Sequence, residues 1–216
     1  GTKQLVKRIM NQVFKFAIDN DIVTKNYVKT LKVIDTLNKE KLHKPMTTEQ
    51  LRDMRNDNIF EKDIAFVLCM TGFRVDELLE LETANIDIEN RTMIGGKKTK
   101  AGTNRIVPIS RHIEPIIKAY YNPEQKYLFV NKNKNRIIYS NYRIKFKKHF
   151  PDNTTHDCRH TFSTIASNAE LNAVAVQKIM GHVGTTITET VYTHKNAEQL
   201  IKAIDVFDDY VENLLS

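Results

Sequence analysis

The chain has 216 residues, enough for one full domain with a fragment or for two small domains, and its 41% hydrophobic content can supply a packed core. Its formal net charge of +7 and its pI near 9.3 favour a polyanionic partner, for which nucleic acid is the usual candidate. The sequence shows neither a signal peptide nor an apolar run of about 18 residues, and both cysteines have apolar neighbours. We therefore expect a cytoplasmic protein with reduced thiols rather than an exported or membrane-spanning one.

The first segment is predicted to be mostly helical, from residue 3 to about residue 37. Its apolar residues fall at helical spacing from Val6 to Ala17, and a segment this short cannot enclose a core for them. The opening Gly1-Thr2 is typical of an engineered remnant, so we expect the chain to be a piece of a longer protein. A polar, charge-rich stretch follows, and residues 1–44 are predicted to be a helical fragment with a linker.

A second domain is predicted for residues 45–216, beginning with a capping box between Thr47 and Gln50. A mostly apolar helix over residues 59–70 is followed by a break, and a new helix begins with Arg74. Glu77 lies one turn further on and can hold the Arg74 guanidinium by a charge-assisted hydrogen bond. The alternative is an exposed ion pair, which contributes roughly a few tenths of a kcal/mol.

The periodicity then changes to that of short strands. Residues 91–94 and 105–109 are predicted to form a hairpin around Gly-Gly-Lys-Lys-Thr-Lys-Ala-Gly. A helix is predicted next, over residues 110–121, followed by a third strand over residues 127–130. The hairpin places three lysines at and near its tip, namely Lys97, Lys98 and Lys100. Lysines in a turn are usually only solvated, so their functional interpretation depends on the rest of the chain.

A run of one charge sign follows, because residues 131–150 contain no acidic side chain. Tyr139, Tyr142 and Phe146 are interleaved with the cations, and such a surface suits contact with a nucleic-acid backbone. A merely solvated face is the alternative. The cations are Lys132, Lys134, Arg136, Arg143, Lys145, Lys147 and Lys148.

The segment after residue 155 carries the most distinctive chemistry. His156 and Arg159 are three residues apart, so they project from one face of a predicted helix. The next helix is predicted for residues 172–181, with an asparagine at its start and a glycine at its end, which leaves His182 just past its C-terminus. Tyr192 follows on a threonine-rich segment. This order of residues suits phosphoryl transfer through a tyrosine nucleophile.

This segment also has two simpler interpretations. His156 and His160 could form a zinc pair, with Cys158 and His194 as further ligands. Cys158, however, lies on the apolar stripe of the helix, away from the two histidines, and the sequence has neither a Cys-x-x-Cys spacing nor the glutamate of His-Glu-x-x-His. A solvated histidine and arginine face with a structural tyrosine is the other alternative.

The chain contains, in this order, Thr-Gly-Phe-Arg-x-x-Glu-Leu, the lysine hairpin, His-x-x-Arg-His, Gly-His and the tyrosine. Together these motifs resemble the catalytic domain of the tyrosine recombinase, or phage integrase, family. The resemblance spans residues 44–194 and implies a mainly helical α+β fold with a small three-stranded antiparallel sheet on one edge. The hairpin, and Cys158 where leucine is more usual, resemble integrases of conjugative transposons and related elements. The helix from Lys3 onward resembles the end of the family's core-binding domain.

The resemblance implies a role for each residue of the predicted site. Arg74 and Arg159 supply planar, permanently charged forks for the phosphate oxygens. A lysine of the hairpin protonates the leaving oxygen, and we assign it to Lys98, with Lys100 as the alternative.

His156 orients the phosphate and assists proton transfer from Tyr192, while His182 donates a hydrogen bond to the phosphate. The cationic pocket favours the phenolate, and the phosphotyrosine conserves the bond for religation. Because the arginines can replace metal ions, neither a metal nor another cofactor is expected.

Duplex DNA at recombination sites is the expected partner, and the resemblance also implies a homotetramer on DNA and a directionality factor. We expect DNA contacts from the cations of residues 131–150 and from Lys97, Lys100, Arg105 and His160. Glu77 is expected to support Arg74.

The predicted function is site-specific integration and excision of a mobile element. Two alternatives are a type IB topoisomerase-like enzyme and a catalytically inactive DNA-binding accessory protein. The strongly apolar tail after Tyr192 is predicted to be helical and needs a dock, either within its own chain or on a neighbouring protomer, as the resemblance implies.

Overall fold

The computed structural model describes residues 2–32, 44–96, 103–181 and 194–216. The chain divides into two compact units, Gly1–Leu42 and His43–Ser216. Within the described residues, the helices are α1 (Thr2–Asp19), α2 (Thr48–Asn56), α3 (Phe60–Thr71), α4 (Val75–Leu79), α5 (Glu114–Tyr120), α6 (Tyr139–His149), α7 (Thr155–Asn168), α8 (Ala173–Met180) and α9 (His194–Leu215). The strands are β1 (Ile86–Asp87), β2 (Thr92–Gly95) and β3 (Arg105–Pro108). The mainly helical α+β fold with a small sheet is thus confirmed.

The first unit is built on α1, which is followed by a short 3-10 turn at Tyr27–Thr30. The helix ends at Asp19, and Asp21 then adopts a left-handed backbone with φ of 55°. Along α1 the side chains of Val6, Ile9 and Val13 are about half exposed, at 52%, 50% and 54%. The predicted apolar stripe is therefore present, and the described part of this unit leaves about half of each of these three residues exposed. That residues 1–44 are a fragment of a core-binding domain stays a prediction.

The second unit is centred on α3, which is buried from Asp63 to Thr71 and packs along α7. The prediction of an apolar helix here is confirmed, and Cys69 and Cys158 are both buried as free thiols in this core. The capping box at the start of α2 is also present, because Gln50 N donates to Thr47 Oγ1 while Thr47 N donates to the Gln50 side chain.

The sheet has the order β1-β2-β3, with both pairs antiparallel. The predicted pairing of the strands before and after the hairpin is confirmed, with Gly95 opposite Arg105. The prediction that residues 127–130 form the third strand is wrong, because that position belongs to β1. Leu128 and Phe129 are instead buried in the core, and their segment makes only isolated bridges, one of them between Glu82 and Tyr127.

The C-terminal helix α9 docks on its own unit. Its inward face is apolar and buried, and the ring of Phe207 lies 5.1 Å from that of Phe162 on α7. Asp208 is also buried, and its carboxylate accepts hydrogen bonds from Ser110 Oγ and from the backbone of Arg111. Of the two docks predicted for the tail, the described chain shows the intramolecular one.

Across the described ranges, no helix combines the length and the apolar character that crossing a membrane would require.

Candidate active site

The position of Arg74 is set by the turn that ends α3. Gly72 has a φ of 64°, in the left-handed region that glycine adopts without strain. A Cβ added there would also lie 2.7 Å from Cδ1 of Phe162, so the turn has no room for a side chain. The chain reverses here and starts α4 with Arg74 at the N-cap, as the sequence predicted.

Glu77 holds Arg74 as predicted, and it holds a second arginine as well. Its carboxylate accepts from the backbone N of Arg74 at 3.0 Å, from Arg74 Nη1 at 2.9 Å and from Arg105 Nη2 at 2.7 Å. Burial alone would raise the pKa of the Glu77 carboxyl, but the hydrogen bond and charge of Arg105, together with Arg74, bring it below its ordinary value. Glu77 is therefore an anion in the fold at neutral pH.

Arg159 is buried at the junction of three elements. It extends from α7 and donates Nη1 to the carbonyl of Gly72 and Nη2, at 2.7 Å, to the carbonyl of Met180 at the end of α8. Burial lowers the pKa of Arg159 to about 10, with further lowering by the charges of Arg74 and Arg105. The guanidinium is still charged at pH 7, and it lies close enough to Arg74 for the two cations to repel each other.

Two histidines lie on α7 near Arg159. The rings of His156 and His160 are 4.9 Å apart and edge to face, which confirms that they share one face of the helix. His156 is exposed and His160 is half-buried, so each residue is at least partly accessible from solvent. The start of α7 is fixed by a hydrogen bond from the backbone N of Thr154 to the Asp157 carboxylate at 2.6 Å.

The helix that leads towards His182 begins and ends as predicted. Asn172 caps α8 by accepting from the backbone N of Val174 and of Ala175, and Gly181 ends it with a φ of 66°. His182 and Tyr192 themselves lie outside the described residues, as do Lys97, Lys98 and Lys100. The described part of the site therefore consists of the two arginines, their carboxylate and the histidine face.

The position of the Arg105 side chain does not fit the predicted contact with DNA. It is only 7% exposed, and it donates Nε to the carbonyl of Ile179 at 2.7 Å in addition to its bond to Glu77. Its guanidinium also lies 5.0 Å from the centroid of the Phe73 ring. A side chain held in this way faces the interior. Sequence reasoning missed its link to Glu77, for which the only available signal was an arginine directly after the lysine hairpin.

The basic run over residues 131–150 divides into core and surface. Tyr142 and Phe146 are buried, at 1% and 0% exposed, so the prediction that they are interleaved with the cations on a binding surface is wrong. They lie four residues apart on α6 and pack inward. Tyr139 is exposed at 38%, and its hydroxyl lies 3.4 Å from Thr155 Oγ1 at the start of α7.

The cations of this run are all exposed, but some have acidic or carbonyl partners. Lys145 pairs with Glu61 at 2.7 Å, Arg136 pairs with Glu80, and Lys147 donates to the carbonyl of Pro151. The other exposed cations of the run are Lys132, Lys134, Arg143 and Lys148. Since Tyr139 links α6 to the start of α7, this basic helix lies beside the element that carries His156 and Arg159.

The described residues contain no group of three or more histidine, cysteine, aspartate or glutamate side chains placed to hold a metal ion. The described site offers mainly cationic groups: Arg74 with a side chain 24% exposed, the buried Arg159, and the histidine pair on the same helix as Arg159. Such an arrangement can bind an anion with two phosphate-like oxygens, because the guanidinium geometry matches them.

Comparison with known proteins agrees with this chemistry. The tyrosine recombinase XerH of Campylobacter jejuni is 28% identical over 204 residues, covering 86% of this chain and 57% of XerH. The transposase from transposon Tn916 of Enterococcus faecalis is 27% identical over 230 residues, covering 87% of this chain and 57% of the transposase. The chain thus spans little more than half the length of these curated relatives.

Solved structures show the same fold. The Tn1549 transposon integrase in complex with circular intermediate DNA superposes with a TM-score of 0.68 at 24% identity, covering 90% of this chain and 76% of that one. A lambda integrase tetramer bound to a Holliday junction gives a TM-score of 0.67 at 12% identity, covering 87% and 60%. The model of the phage integrase family matches residues 24–199. The chain therefore belongs to the phage integrase family, the family of the tyrosine recombinases.

Proposed function

We propose that this chain is the catalytic part of a site-specific DNA recombinase, which cleaves and rejoins duplex DNA through a 3′-phosphotyrosine intermediate at Tyr192. The observation that carries the proposal is the convergence of Arg74 and Arg159. Arg159 donates to the Gly72 carbonyl in the turn that presents Arg74, and Glu77 accepts a hydrogen bond from the Arg74 guanidinium. These contacts, and the mutual effect of the two charges, support the proposal that the two guanidinium groups bind a single phosphate.

The proposed reaction follows from the charges at this site. The Tyr192 oxygen attacks the scissile phosphorus, and the bond from phosphorus to the 5′-oxygen breaks. Arg74 and Arg159 stabilise the charge that develops on the non-bridging oxygens, and His182 adds a hydrogen bond. His156 takes part in removing the tyrosine proton, and Lys98, or alternatively Lys100, gives a proton to the departing 5′-oxygen. Reversal of the same steps rejoins the strand.

The exposed cations of α6 and its preceding turn are proposed to hold the DNA backbone. Lys132, Lys134, Arg143 and Lys148 neutralise phosphates, and binding weakens as salt concentration rises. His160, Lys97 and Lys100 are proposed to contact DNA closer to the scissile phosphate. Arg105 does not join this set, because it is buried.

The biological role that we propose is integration and excision of a mobile element. Two relatives support it, since one is the transposase from transposon Tn916 and one solved structure is the Tn1549 transposon integrase. Assembly as a tetramer on DNA is proposed from the lambda integrase tetramer on a Holliday junction. In such an assembly α9 would leave its intramolecular dock for a neighbouring protomer. A directionality factor and a cytoplasmic location complete the proposal.

The test is a nicked suicide substrate that carries a recombination-junction sequence, incubated with the wild type, Tyr192→Phe and Tyr210→Phe. We expect a covalent protein–DNA adduct with the wild type and with Tyr210→Phe, and none with Tyr192→Phe, which should still bind DNA. Peptide mapping should place the linked nucleotide on Tyr192. An adduct on Tyr210, or adduct formation by Tyr192→Phe, would overturn the assignment.

The same assay separates the alternatives. An accessory protein without catalysis would bind the substrate and form no adduct. A topoisomerase-like enzyme would form the adduct and relax supercoiled plasmid, but it would not exchange strands between two duplexes. Strand exchange is therefore the result that identifies a recombinase.

A further inference from the structure

Arg105 has its side chain buried at the base of the hairpin. It is the first residue of β3 and lies opposite Gly95 of β2. A Cβ on Gly95 would come within 2.6 Å of Cε1 of Phe73, so the Phe73 ring packs directly against β2 at this point. The Arg105 guanidinium lies 5.0 Å from the centroid of the same ring. Phe73 is the residue before Arg74, and the base of the hairpin is thus packed onto the turn that presents Arg74.

The polar contacts of Arg105 join two further parts of the site. Its Nη2 donates to Glu77 Oε2 at 2.7 Å, while Arg74 Nη1 donates to Oε1 of the same carboxylate at 2.9 Å. Its Nε donates to the carbonyl of Ile179, and the next carbonyl along the chain, that of Met180, accepts from Arg159. The C-terminal carbonyls of α8 are therefore held by two arginines, which suits the negative end of a helix.

The charge balance shows what Arg105 does for Arg74. Glu77 is buried, and burial by itself raises the pKa of its carboxyl, while the bond from Arg105 is the largest effect that lowers it. Without Arg105 the carboxylate loses one of its two guanidinium partners on that side. The Glu77 carboxylate then takes up a proton more readily or changes its orientation. In either case its interaction with Arg74 weakens.

From these contacts we infer that Arg105 is a positioning residue for the cleavage reaction, acting through Glu77 on Arg74 and through Ile179 on the end of α8. The inference rests on the proposed function. Arg105 does not touch the DNA; it fixes Arg74, which does, together with the end of α8, and it links both to the strand that follows the lysine hairpin.

Arg105 could instead serve only to stabilise the fold through its ion pair with Glu77. Changing the charge of the scissile phosphate distinguishes this structural role from the positioning role. If Arg105 is needed to place Arg74 against a negative phosphate, its loss should matter less when the phosphate carries no charge. A methylphosphonate has a methyl group in place of one non-bridging oxygen and is neutral. A variant that is merely unstable should be slowed equally on both substrates.

The experiment compares adduct formation by the wild type, Arg105→Gln and Arg91→Gln on two suicide substrates, one with a phosphodiester and one with a methylphosphonate at the scissile position. Arg91→Gln is the matched control. Its guanidinium also bonds a carboxylate and a carbonyl, those of Asp205 and Ile109, but on the α9 side of the sheet. Thermal unfolding and DNA affinity are measured for each variant.

We expect Arg105→Gln to slow cleavage of the phosphodiester by ~10²-fold, in the range seen when one oriented donor is lost. On the methylphosphonate we expect a loss of less than ~10-fold. Arg91→Gln should lower the unfolding temperature and leave the ratio between the two substrates within ~2-fold of wild type. Arg91 precedes the opposite end of β2 from Arg105 and shares no partner with it within the described residues, so the two should act independently. Equal slowing of Arg105→Gln on both substrates, or no slowing on either, would overturn the inference.

A second pair of variants keeps the test decisive if Arg105→Gln does not fold. Glu77→Gln should show the same dependence on phosphate charge. The loss in Arg105→Lys with Glu77→Gln should be smaller than the product of the two single losses, because both changes act on Arg74 through Glu77. Additive losses would show that Arg105 does not act through Glu77. Absence of any wild-type adduct on the phosphodiester would be a failure of the proposed function, and the inference would fail with it.

Discussion

The guanidinium of Arg159 donates a hydrogen bond to the carbonyl of Gly72, two residues before Arg74 in the chain. One arginine thereby fixes the backbone turn that presents the other. Burial first, and then the charges of Arg74 and Arg105, lower the pKa of Arg159, so the fold holds like charges near one another at an energetic cost. A bound phosphate would relieve that repulsion.

The first prediction follows from this pair. Arg74→Ala and Arg159→Ala should each slow cleavage of a suicide substrate by ~10²–10³-fold, because each removes a donor to the transition state. DNA affinity should fall far less. Single-turnover adduct formation and a binding titration measure the two effects separately.

The two variants should differ in stability. Arg159→Ala leaves the buried carbonyls of Gly72 and Met180 without that donor, whereas the Arg74 side chain is partly exposed. Urea unfolding should therefore show a larger loss for Arg159→Ala, about 1–3 kcal/mol for buried acceptors left unsatisfied.

Cleavage within a few-fold of wild type by either variant would place that arginine away from the phosphate.

The second prediction concerns the lysine that protonates the leaving group. A substrate with sulfur in place of the bridging 5′-oxygen has a leaving group that needs no proton, so it should restore cleavage to Lys98→Ala. It should not restore cleavage to Arg74→Ala, whose defect lies at the non-bridging oxygens. Cleavage rates on the oxygen and sulfur substrates are the measurement.

Lys100→Ala is the matched variant for that experiment. Rescue of Lys100→Ala in place of Lys98→Ala would move the acid role two residues along the hairpin. If sulfur rescues neither variant, the hairpin lysines do not act as the general acid.

The third prediction concerns the dock of α9. Phe207 is fully buried and packs on Phe162, so Phe207→Ala should lower the free energy of unfolding of the DNA-free protein by about 3–5 kcal/mol. Val206→Ala, at a position 51% exposed on the same helix, is the control and should change stability little. Urea unfolding gives both values. A loss below about 1 kcal/mol for Phe207→Ala would mean that α9 is not docked in this way in solution.

The fourth prediction concerns Asp63, which is largely buried and accepts a hydrogen bond from Tyr120 at 2.6 Å. Burial raises the pKa of Asp63 above its ordinary value, although the bond from Tyr120 opposes the rise. With a raised pKa the folded state holds its proton more tightly than the unfolded state does. The contribution of Asp63 to stability therefore falls as the pH rises from its ordinary pKa through the raised one.

Asp63→Asn removes this titration. The unfolding free energy of Asp63→Asn relative to wild type should thus increase as the pH is raised from about 3.5 to about 7, an interval that starts near the ordinary pKa of aspartate. Urea unfolding at several pH values provides the test. Tyr120→Phe removes the opposing hydrogen bond, so it should make the pH dependence of the wild-type Asp63 steeper. A flat or falling difference for Asp63→Asn would contradict the raised pKa.

The sequence by itself determined the local features. The structure contains the predicted capping box of Thr47 and Gln50, the breaks at Gly72 and Gly181, and the start of α8 at Asn172. Each of these features depends on the backbone and side-chain chemistry of a few neighbouring residues. The motifs around Arg74 and Arg159 also indicated the family, since their order along the chain can be seen without coordinates.

Only the tertiary structure decided which residues face inward and which strands pair. The third strand is β1, a two-residue element too short to show an alternating pattern, while Leu128 and Phe129 joined the core. Arg105 appears in the sequence as one more cation near the hairpin, yet Glu77 and the end of α8 surround it. The dock of α9 on Phe162 is likewise a contact between distant parts of the chain. Such choices depend on burial and charge compensation across the whole domain, and a local pattern does not contain them.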